Sequence, residues 1–490
     1  MFKRIPLYIF LMPVFVIIHV AADFRGLIKF GFVWPGIVKI FLAQLCLFLF
    51  SRFFSADLQK RSLLTFVFSL IYFFFSDAKD YLYNGHPHVL FSSYSFLLPL
   101  IALLLIISVV MIRRSKTAHP QISRFLNLLL ILSIAADIPS FFGSASEAVF
   151  QKPVVKYNPA AACDSCENPD VYFLLFDAFT SNNVLKSTFG FDNSSLDSFL
   201  SRKGFYVMAE SRSNYALTPL SVSSCFDMNY LKFRKPVNSV NLKTYLSAVD
   251  YIDNTEVPRY FAAKGYDIVN ESIFNVNGIQ PKQVPYDIWD QHTLFSRKHF
   301  FQKIYNDLGW HFSRYLPVYN ENASKSLRER RDADLDASFR YLRQTIADTN
   351  IKPKFVYAHF LLPHGPYSRD ADGKVLPYDL PDTEAQEMKS YVMQVQYASG
   401  IIRSLVNEIL IKTKRPVVIM VIGDHGYRFG EENKNQLDFP NLNAVYFTNK
   451  NYSQFRQNQS LVNNFRVVLN SCFGESLPLL KDSSIFLTYK

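Results

Sequence analysis

Charged side chains are scarce in this chain of 490 residues, since Asp, Glu, Lys and Arg together make up 19%. Soluble domains carry about 25% charged residues, so part of the chain is expected to lie in a membrane. Cysteine is also scarce, with five residues, which excludes a small disulfide-stapled scaffold. Hydrophobic residues reach 49%. That much apolar surface excludes an intrinsically disordered protein.

Five apolar runs occur before residue 145 and predict five membrane spans. A helix needs about 20 mostly apolar residues to cross a bilayer, and all the runs except the third reach or approach that length. The first run lacks a convincing small-residue cleavage site, so we interpret it as an anchor rather than a removed signal peptide. The runs cover residues 5–22, 34–51, 62–75, 89–112 and 125–142.

Basic residues are unevenly distributed between the predicted loops. If the N-terminus is cytoplasmic, nine Lys and Arg residues fall in the inner loops and three in the outer loops, which is the positive-inside pattern. Everything after residue 145 is then expected outside. The formal net charge of +11 is partly explained by this asymmetry, and nucleic-acid binding is not expected. The inner set is Lys3, Arg4, Arg52, Lys60, Arg61, Arg113, Arg114, Lys116 and Arg124, and the outer set is Arg25, Lys29 and Lys79.

We divide the chain into a membrane domain at 1–145, a linker at 146–169 and an exported domain at 170–490. In the exported domain, short apolar runs alternate with amphipathic helical patterns. This alternation is typical of an α/β domain with a mostly parallel central sheet. The predicted strands cover 171–176, 266–270, 355–362 and 417–422, and the predicted helices cover 196–203, 257–264, 325–349 and 384–410.

Metal-binding side chains follow three of the four predicted strands. Asp177 follows the first strand, His364 comes shortly after the third, and Asp424 and His425 come shortly after the fourth. Ligands of such sheets bind at the carboxyl ends of the strands. Carboxylate and imidazole ligands suit a divalent metal, which we expect to be zinc or manganese.

Thr218 is the predicted nucleophile. It precedes Pro219, and proline is favoured in the first turn of a helix, so Thr218 is also expected to be the N-cap of that helix. A metal ion lowers the pKa of a hydroxyl bound to it, and a helix N-terminus favours an anionic substrate. The capping role and the catalytic role are compatible.

Four of the five cysteines lie in the predicted exported part, where disulfides are permitted. Cys163 and Cys166 could form half of a zinc site, but no second ligand pair accompanies them, so a disulfide or free thiols are preferred. The pairing of Cys163, Cys166, Cys225 and Cys472 is left open. Cys46 lies in the second span and is expected to be a small core residue.

These segments resemble the alkaline phosphatase–sulfatase superfamily, and within it the membrane-anchored phosphoethanolamine transferases and lipoteichoic acid synthases. The resemblance covers nearly the whole chain, including five spans before an exported α/β domain of alkaline phosphatase-like fold. It rests on Asp424-His425-Gly426 after a hydrophobic strand, on His364-Gly365-Pro366-Tyr367, which is one residue shorter than the transferases' segment, on Thr218-Pro219-Leu220-Ser221-Val222, and on Asp177 in place of the usual Glu.

The resemblance implies a metal-dependent transferase of phosphoethanolamine or phosphoglycerol headgroups in the bacterial inner membrane, with its catalytic domain outside. A phospholipid would be the donor, and an envelope glycan or lipid would be the acceptor. Thr218 would be the nucleophile, and His364 would steady the phosphate or protonate the leaving group. The implied metal ligands are Asp177, Thr218, Asp424 and His425.

The chain departs from the transferases in having no His after His425. Asn441 or Asn443 is expected to fill that part of the site, and Arg428 is expected to meet an anionic substrate. Two alternatives remain, namely a hydrolase of phosphate or sulfate esters and a non-catalytic membrane scaffold. Sulfate-ester hydrolysis is disfavoured because threonine cannot become formylglycine, because Val222 stands where sulfatases have Arg, and because Asp177 is followed by Ala178.

Overall fold

The computed structural model describes residues 6–489, apart from 28–29, 86–88, 116–119, 143–148, 154, 156, 158–167, 283–298, 314–316, 349–351, 377–382 and 429–435. The chain forms two compact units. The first contains residues 1–147 and 289–320, and the second contains residues 148–288 and 321–490. A segment from the middle of the predicted exported domain therefore groups with the N-terminal helices.

The first unit is helical. Four of its segments are long and apolar enough to cross a membrane: Trp34–Phe53, Leu58–Tyr83, Tyr94–Arg114 and Pro120–Ser140. The first helix is shorter, with 16 residues, so five spans remain a prediction. The third apolar run lies in a helix of 28 residues, because more polar residues continue the helix at both ends. The helices are α1 (Tyr8–Asp23), α2 (Phe30–Phe50), α3 (Leu58–Gly85), α4 (Tyr94–Arg114), α5 (Pro120–Phe142) and α11 (Phe300–Ser313).

Buried amide and hydroxyl groups join the first three helices. Gln44 on α2 donates from Nε2 to the Ile9 carbonyl oxygen of α1 at 3.0 Å. Its Oε1 accepts from the Ser69 hydroxyl of α3 at 2.7 Å. Since an amide in an apolar environment is costly without partners, these bonds fix the faces on which the three helices meet.

The second unit is built around a six-stranded mixed sheet in the order β3-β9-β8-β2-β7-β6. Strands β8, β2, β7 and β6 are parallel, and β9 and β3 add an antiparallel edge. The four predicted strands are confirmed, and they form the parallel part. The strands of the unit are β1 (Phe150–Gln151), β2 (Asp170–Phe176), β3 (Tyr206–Val207), β4 (Lys232–Phe233), β5 (Ser239–Val240), β6 (Asp267–Glu271), β7 (Lys354–Phe360), β8 (Val417–Ile422), β9 (Asn443–Phe447) and β10 (Thr488–Tyr489).

The central strands are buried on both faces. Alternate residues of β2 enter two hydrophobic clusters: Phe173 packs with Phe226 and Phe465 on one face, and Leu174 belongs to the cluster on the other. Strands covered on both faces read as continuous apolar runs, which is why the sequence reveals them. The helices of the unit are α6 (Asn182–Phe189), α7 (Ser194–Arg202), α8 (Thr218–Phe226), α9 (Leu242–Ile252), α10 (Glu256–Ala263), α12 (Pro317–Ala347), α13 (Glu384–Lys412) and α14 (Asn464–Phe473).

The three described cysteines, Cys46, Cys225 and Cys472, are not in disulfides. Cys225 and Cys472 are buried in the same hydrophobic cluster as Phe173. Burial raises the pKa of the Cys225 thiol, so it behaves as a small apolar side chain. Cys163 and Cys166 lie outside the described residues.

Replacing Gly423 by Ala should destabilise the second unit by roughly 1–3 kcal/mol, the usual cost of overpacking. Gly423 donates to the Leu442 carbonyl oxygen at 2.7 Å, and a Cβ there would clash with the Phe179 carbonyl oxygen. The control is Gly400→Ala in the middle of α13, where a Cβ meets nothing within 4 Å; it should stabilise by about 0.5–1 kcal/mol. Pulse proteolysis of the full-length protein in urea and detergent measures both, and equal midpoints would contradict the prediction.

Candidate metal centre

Three neighbouring parallel strands end at the same edge of the sheet. Phe176, the last residue of β2, pairs with Phe360 of β7, and Leu175 pairs with Ile422 of β8. The segments that follow these strands therefore start side by side. This arrangement brings Asp177 and Asp424 together, as expected for the carboxyl ends of parallel strands.

Asp177, Asp424 and His425 form a compact buried group. His425 Nε2 lies 3.4 Å from Asp424 Oδ2 and 3.7 Å from Asp177 Oδ1. The three ligand atoms lie within 4.8 Å of one another. Two carboxylates and one imidazole are a donor set that binds a divalent cation and leaves room for another ligand.

The hydrogen bonds of the two carboxylates support a metal between them. Asp177 Oδ1 and Asp424 Oδ2 are buried and have no hydrogen-bond partner among the residues that the structure describes. Leaving charged oxygens unpaired in the interior costs several kcal/mol. A divalent cation bound to both would remove this cost, so the residues present fit a metal ion.

The other oxygen of each carboxylate is contacted by a neighbouring group of the protein. Asp424 Oδ1 accepts from the backbone N–H of Ala178 at 3.0 Å, and Asp177 Oδ2 lies 3.4 Å from His359 Nε2. Ala178 has φ +62°, a left-handed conformation that is unfavourable for a residue with a Cβ. Such a conformation persists where the surroundings require it, and here it directs the N–H to Asp424.

The charge of Asp177 is set by its neighbours. Burial would raise the pKa of the Asp177 carboxyl. The histidines around it, His364, His359 and His425, oppose burial and hold that pKa well below its usual range. The carboxyl is therefore ionised, which is the form that binds a metal.

His359 is a site residue that sequence analysis missed. It is 2% exposed and lies in β7, where Tyr357 hydrogen-bonds to its Nδ1 at 3.0 Å. With the Tyr357 hydroxyl donating to Nδ1, the Nε2–H faces Asp177. A histidine interrupting a buried strand was the available signal, because a polar ring there needs a buried partner.

Thr218 lies at the start of α8 and faces the acidic group. Its Oγ1 is 3.4 Å from His425 Nε2. The N-cap residue is Leu217, and no side chain caps the helix, so the expected capping role of Thr218 is wrong. The hydroxyl points to His425 instead of folding back on its own helix. Ser221, one turn later, donates to the Asp424 carbonyl oxygen at 2.6 Å and holds α8 against the loop.

His364 and Arg428 form a second pair beside the acidic group. The backbone N–H of His364 donates to the Asp177 carbonyl oxygen at 3.1 Å. Arg428 donates from Nη2 to His364 Nε2 at 3.0 Å, because a guanidinium has no acceptor. His364 Nδ1 then donates to the Gly365 carbonyl oxygen at 2.5 Å. Arg428 is exposed, so the pair borders the solvent.

Asn441 and Asn443 are both 1% exposed and have internal partners. Asn441 donates to the Gly423 carbonyl oxygen at 2.5 Å and accepts from the Ser211 hydroxyl at 3.0 Å. Asn443 exchanges hydrogen bonds with Asn464 at 3.0 and 3.3 Å. Both amides therefore hydrogen-bond to the surrounding protein, and Asn441 supports the backbone at Gly423, just before Asp424.

A family comparison agrees with this group of residues. The sulfatase family matches residues 212–465, a range that contains Thr218, His364, Asp424 and His425. The chain belongs to the sulfatase family. The expected membership of the alkaline phosphatase–sulfatase superfamily is confirmed. Asp177 precedes the matched range. A comparison with curated proteins finds no match.

Solved structures similar to this sulfatase-family chain include three bacterial proteins. The C-terminal periplasmic domain of EptC from Escherichia coli is 13% identical, with 66% of this chain and 91% of that chain covered and a TM-score of 0.40. The integral membrane phosphoethanolamine transferase EptA from Neisseria meningitidis is also 13% identical, with 95% of this chain and 94% of that chain covered and a TM-score of 0.38. The phosphoglycerol transferase GacH from Streptococcus pyogenes is 10% identical, with 64% of this chain and 75% of that chain covered and a TM-score of 0.36. These values are too low to transfer an activity to this chain.

The Asp424→Asn variant of the sulfatase-family protein should lose tight metal binding. The amide is nearly the same size but cannot supply an anionic oxygen, so affinity for zinc or manganese should fall by more than about 100-fold, beyond the 10–100-fold typical of outer-shell changes. Metal content of purified protein after dialysis measures this. The Asp197→Asn variant, outside the acidic group, is the control. Unchanged metal content in Asp424→Asn would exclude this site.

His359 should act on the metal through Asp177. His359→Leu should lower metal affinity by about 10–100-fold, as for other residues that orient a ligand. His359→Gln should lose less metal affinity than His359→Leu, because the glutamine amide can donate to Asp177 Oδ2 from a similar position. Titration with a competing chelator measures both affinities, and equal losses in the two variants would contradict the donor role.

Proposed function

We propose that this protein transfers a phosphate-linked headgroup from a membrane phospholipid to a hydroxyl acceptor of the cell envelope. The observation that carries the proposal is the position of the Thr218 hydroxyl, 3.4 Å from His425 Nε2. Two carboxylate oxygens of the same group have no hydrogen-bond partner in the described part of the chain. A hydroxyl at the edge of a metal-binding group is the arrangement that covalent phosphoryl transfer needs.

Asp177, Asp424 and His425 would hold the metal, with Thr218 at its edge. A bound zinc or manganese ion would lower the pKa of the Thr218 hydroxyl and neutralise charge on the phosphate. Thr218 also stands at the N-terminus of α8, a helix of nine residues, where the backbone N–H groups and the helix dipole favour an anion. The incoming phosphate is thereby placed next to its nucleophile.

His364 and Arg428 would bind the phosphate and supply a proton. A protonated His364 cannot accept from Arg428, because both groups would then donate. A phosphate oxygen gives both of them an acceptor, so substrate binding favours the protonated ring. His364 is then the general acid for the departing alkoxide.

The proposed reaction has two displacements at phosphorus. In the first, Thr218, which has lost its hydroxyl proton to the solvent, attacks as an alkoxide: its Oγ1 forms a bond to phosphorus, the bond to the diacylglycerol oxygen breaks, and that oxygen takes the proton of His364. In the second, an acceptor hydroxyl loses its proton to His364 and bonds to phosphorus, the bond between phosphorus and Thr218 Oγ1 breaks, and Thr218 leaves as the alkoxide. The acceptor gains the headgroup, and diacylglycerol is the other product.

The apolar helices of the first unit would place the protein in the bacterial inner membrane. With five spans and the N-terminus inside, the sulfatase-like part lies outside, where lipid headgroups and envelope glycans are available. The asymmetry of Lys and Arg between the loops supports this orientation.

The Thr218→Ala variant should lose at least about 10⁴-fold in headgroup release, a usual effect of removing a nucleophile, while it still binds metal. Wild-type protein incubated with bacterial phospholipid and manganese or zinc should carry a headgroup-sized adduct on the peptide that contains Thr218. The Asp424→Asn variant should carry none. Peptide mass spectrometry detects the adduct, and its mass gives the donor class.

The same measurement separates the alternatives. Lipid consumption by wild-type protein without any adduct would point to direct hydrolysis by water, and headgroup release that needs no acceptor would make water the acceptor. Wild-type turnover in Thr218→Ala would exclude the mechanism. Tight metal binding with no turnover on any ester would favour the non-catalytic alternative.

A further inference from the structure

The first unit contains a cavity of about 670 Å³ with several charged side chains in its lining, which we call the helix-end cavity. It lies where α3 ends and α4 begins, and α11 closes one side. Its lining combines cations, carboxylates and tyrosines, a composition unlike the apolar helices around it. The lining residues are Lys79, Asp80, Tyr83, Val89, Leu90, Ser92, Ser93, Tyr94, Lys303 and Asp307.

One side of the helix-end cavity carries more negative than positive charge. Lys303 Nζ lies 2.7 Å from Asp80 Oδ1 and 3.1 Å from Asp307 Oδ2. The Tyr94 hydroxyl donates to Asp307 Oδ2 at 2.5 Å. One ammonium therefore serves two carboxylates. The Asp80 side chain is 50% exposed, so it can accept another cationic group.

Lys79 provides the opposite charge in the same cavity. It is 7% exposed, and it has no hydrogen bond or ion pair with any residue that the structure describes. Its ammonium lies 4.7 and 5.0 Å from the ring centroids of Tyr83 and Tyr94. Ring faces attract a cation but do not replace oxygen acceptors for its three N–H donors. The Lys79 ammonium lines the cavity and is therefore available to bind an anion there.

Aromatic contacts hold α11 on α3 and fix the cavity wall. Phe300 packs against Phe75 with ring centroids 4.8 Å apart, and His299 stacks on Tyr72 at 5.0 Å. Lys303 follows one turn after these residues and Asp307 one turn later. The charged groups of α11 are therefore positioned before any ligand binds.

We propose that the helix-end cavity binds the headgroup of a membrane phospholipid, with the phosphate on Lys79 and an amine of the headgroup on Asp80. The cavity brings together an ammonium that has no ion-pair partner among the described residues and a wall with more carboxylates than cations. A phosphate joined to an amine carries the complementary charges. The cavity lies at the ends of two candidate membrane helices, where lipid headgroups are found. The proposal rests on the membrane placement under the proposed function, but it does not require the chemistry of Thr218.

The test measures lipid binding by full-length protein in detergent, using native mass spectrometry with short-chain phosphatidylethanolamine. Lys79→Gln should weaken binding at least tenfold, and Lys79→Arg should restore most of it. The control is Lys60→Gln near the other end of α3, where the ammonium donates to the Arg113 carbonyl oxygen at 3.0 Å; it should bind like wild type. Thr218→Ala should also bind like wild type, so loss of transfer and loss of this site are distinguishable.

Further lipids separate the contributions of the headgroup. Asp80→Asn should weaken binding of phosphatidylethanolamine but not of phosphatidylglycerol, because only the former carries an amine. Diacylglycerol, which has no phosphate, should bind Lys79→Gln and wild type equally. Equal binding of phosphatidylethanolamine by Lys79→Gln and wild type would overturn the site. Free O-phosphoethanolamine binding as tightly as the lipid would overturn a lipid as its ligand.

Discussion

Two carboxylates buried side by side are the constraint on which the rest of the second unit depends. Asp177 and Asp424 follow adjacent parallel strands, and their like charges would repel in an interior that stabilises ions poorly. One oxygen of each carboxylate has a neighbouring partner that offsets this repulsion. His359 contacts Asp177 Oδ2, and the Ala178 N–H donates to Asp424 Oδ1. The other two oxygens are left for a cation.

The backbone around the carboxylates is correspondingly tight. Ala178 takes a left-handed conformation, and the Tyr391 hydroxyl donates to its carbonyl oxygen at 2.7 Å while accepting from the Thr180 N–H at 3.1 Å. Gly423 lies so close to Phe179 that no side chain fits. Ligands held by such supported segments keep their geometry without a metal, and preorganisation of this kind is what a catalytic metal site requires.

The sequence predicted the parts of the fold that depend on burial and on chain order. Strands covered on both faces appear as uninterrupted apolar runs. The carboxyl ends of parallel strands share one edge of the sheet, so the proximity of Asp177 and Asp424 could be predicted. The two-residue strand β3 and the antiparallel strand β9 leave too little pattern to recognise. His359 was missed because its partner, Asp177, is distant in sequence. The grouping of residues 289–320 with the N-terminal helices has no signal in the sequence, because an amphipathic helix does not reveal what it packs against.

The identity of residue 218 separates this site from that of a sulfate-ester hydrolase. Sulfatases of the formylglycine type need a Cys or Ser that can be oxidised to an aldehyde, and threonine gives no such product. A threonine hydroxyl remains a simple alcohol, whose use is to attack an electrophile and form an ester. Since the Thr218 Oγ1 faces His425 instead of capping α8, its hydroxyl is available for that attack. Under the proposed function, His364 and Arg428 would bind the oxygens of the resulting phosphoester, and the preference for phosphorus over sulfur rests on the threonine at position 218.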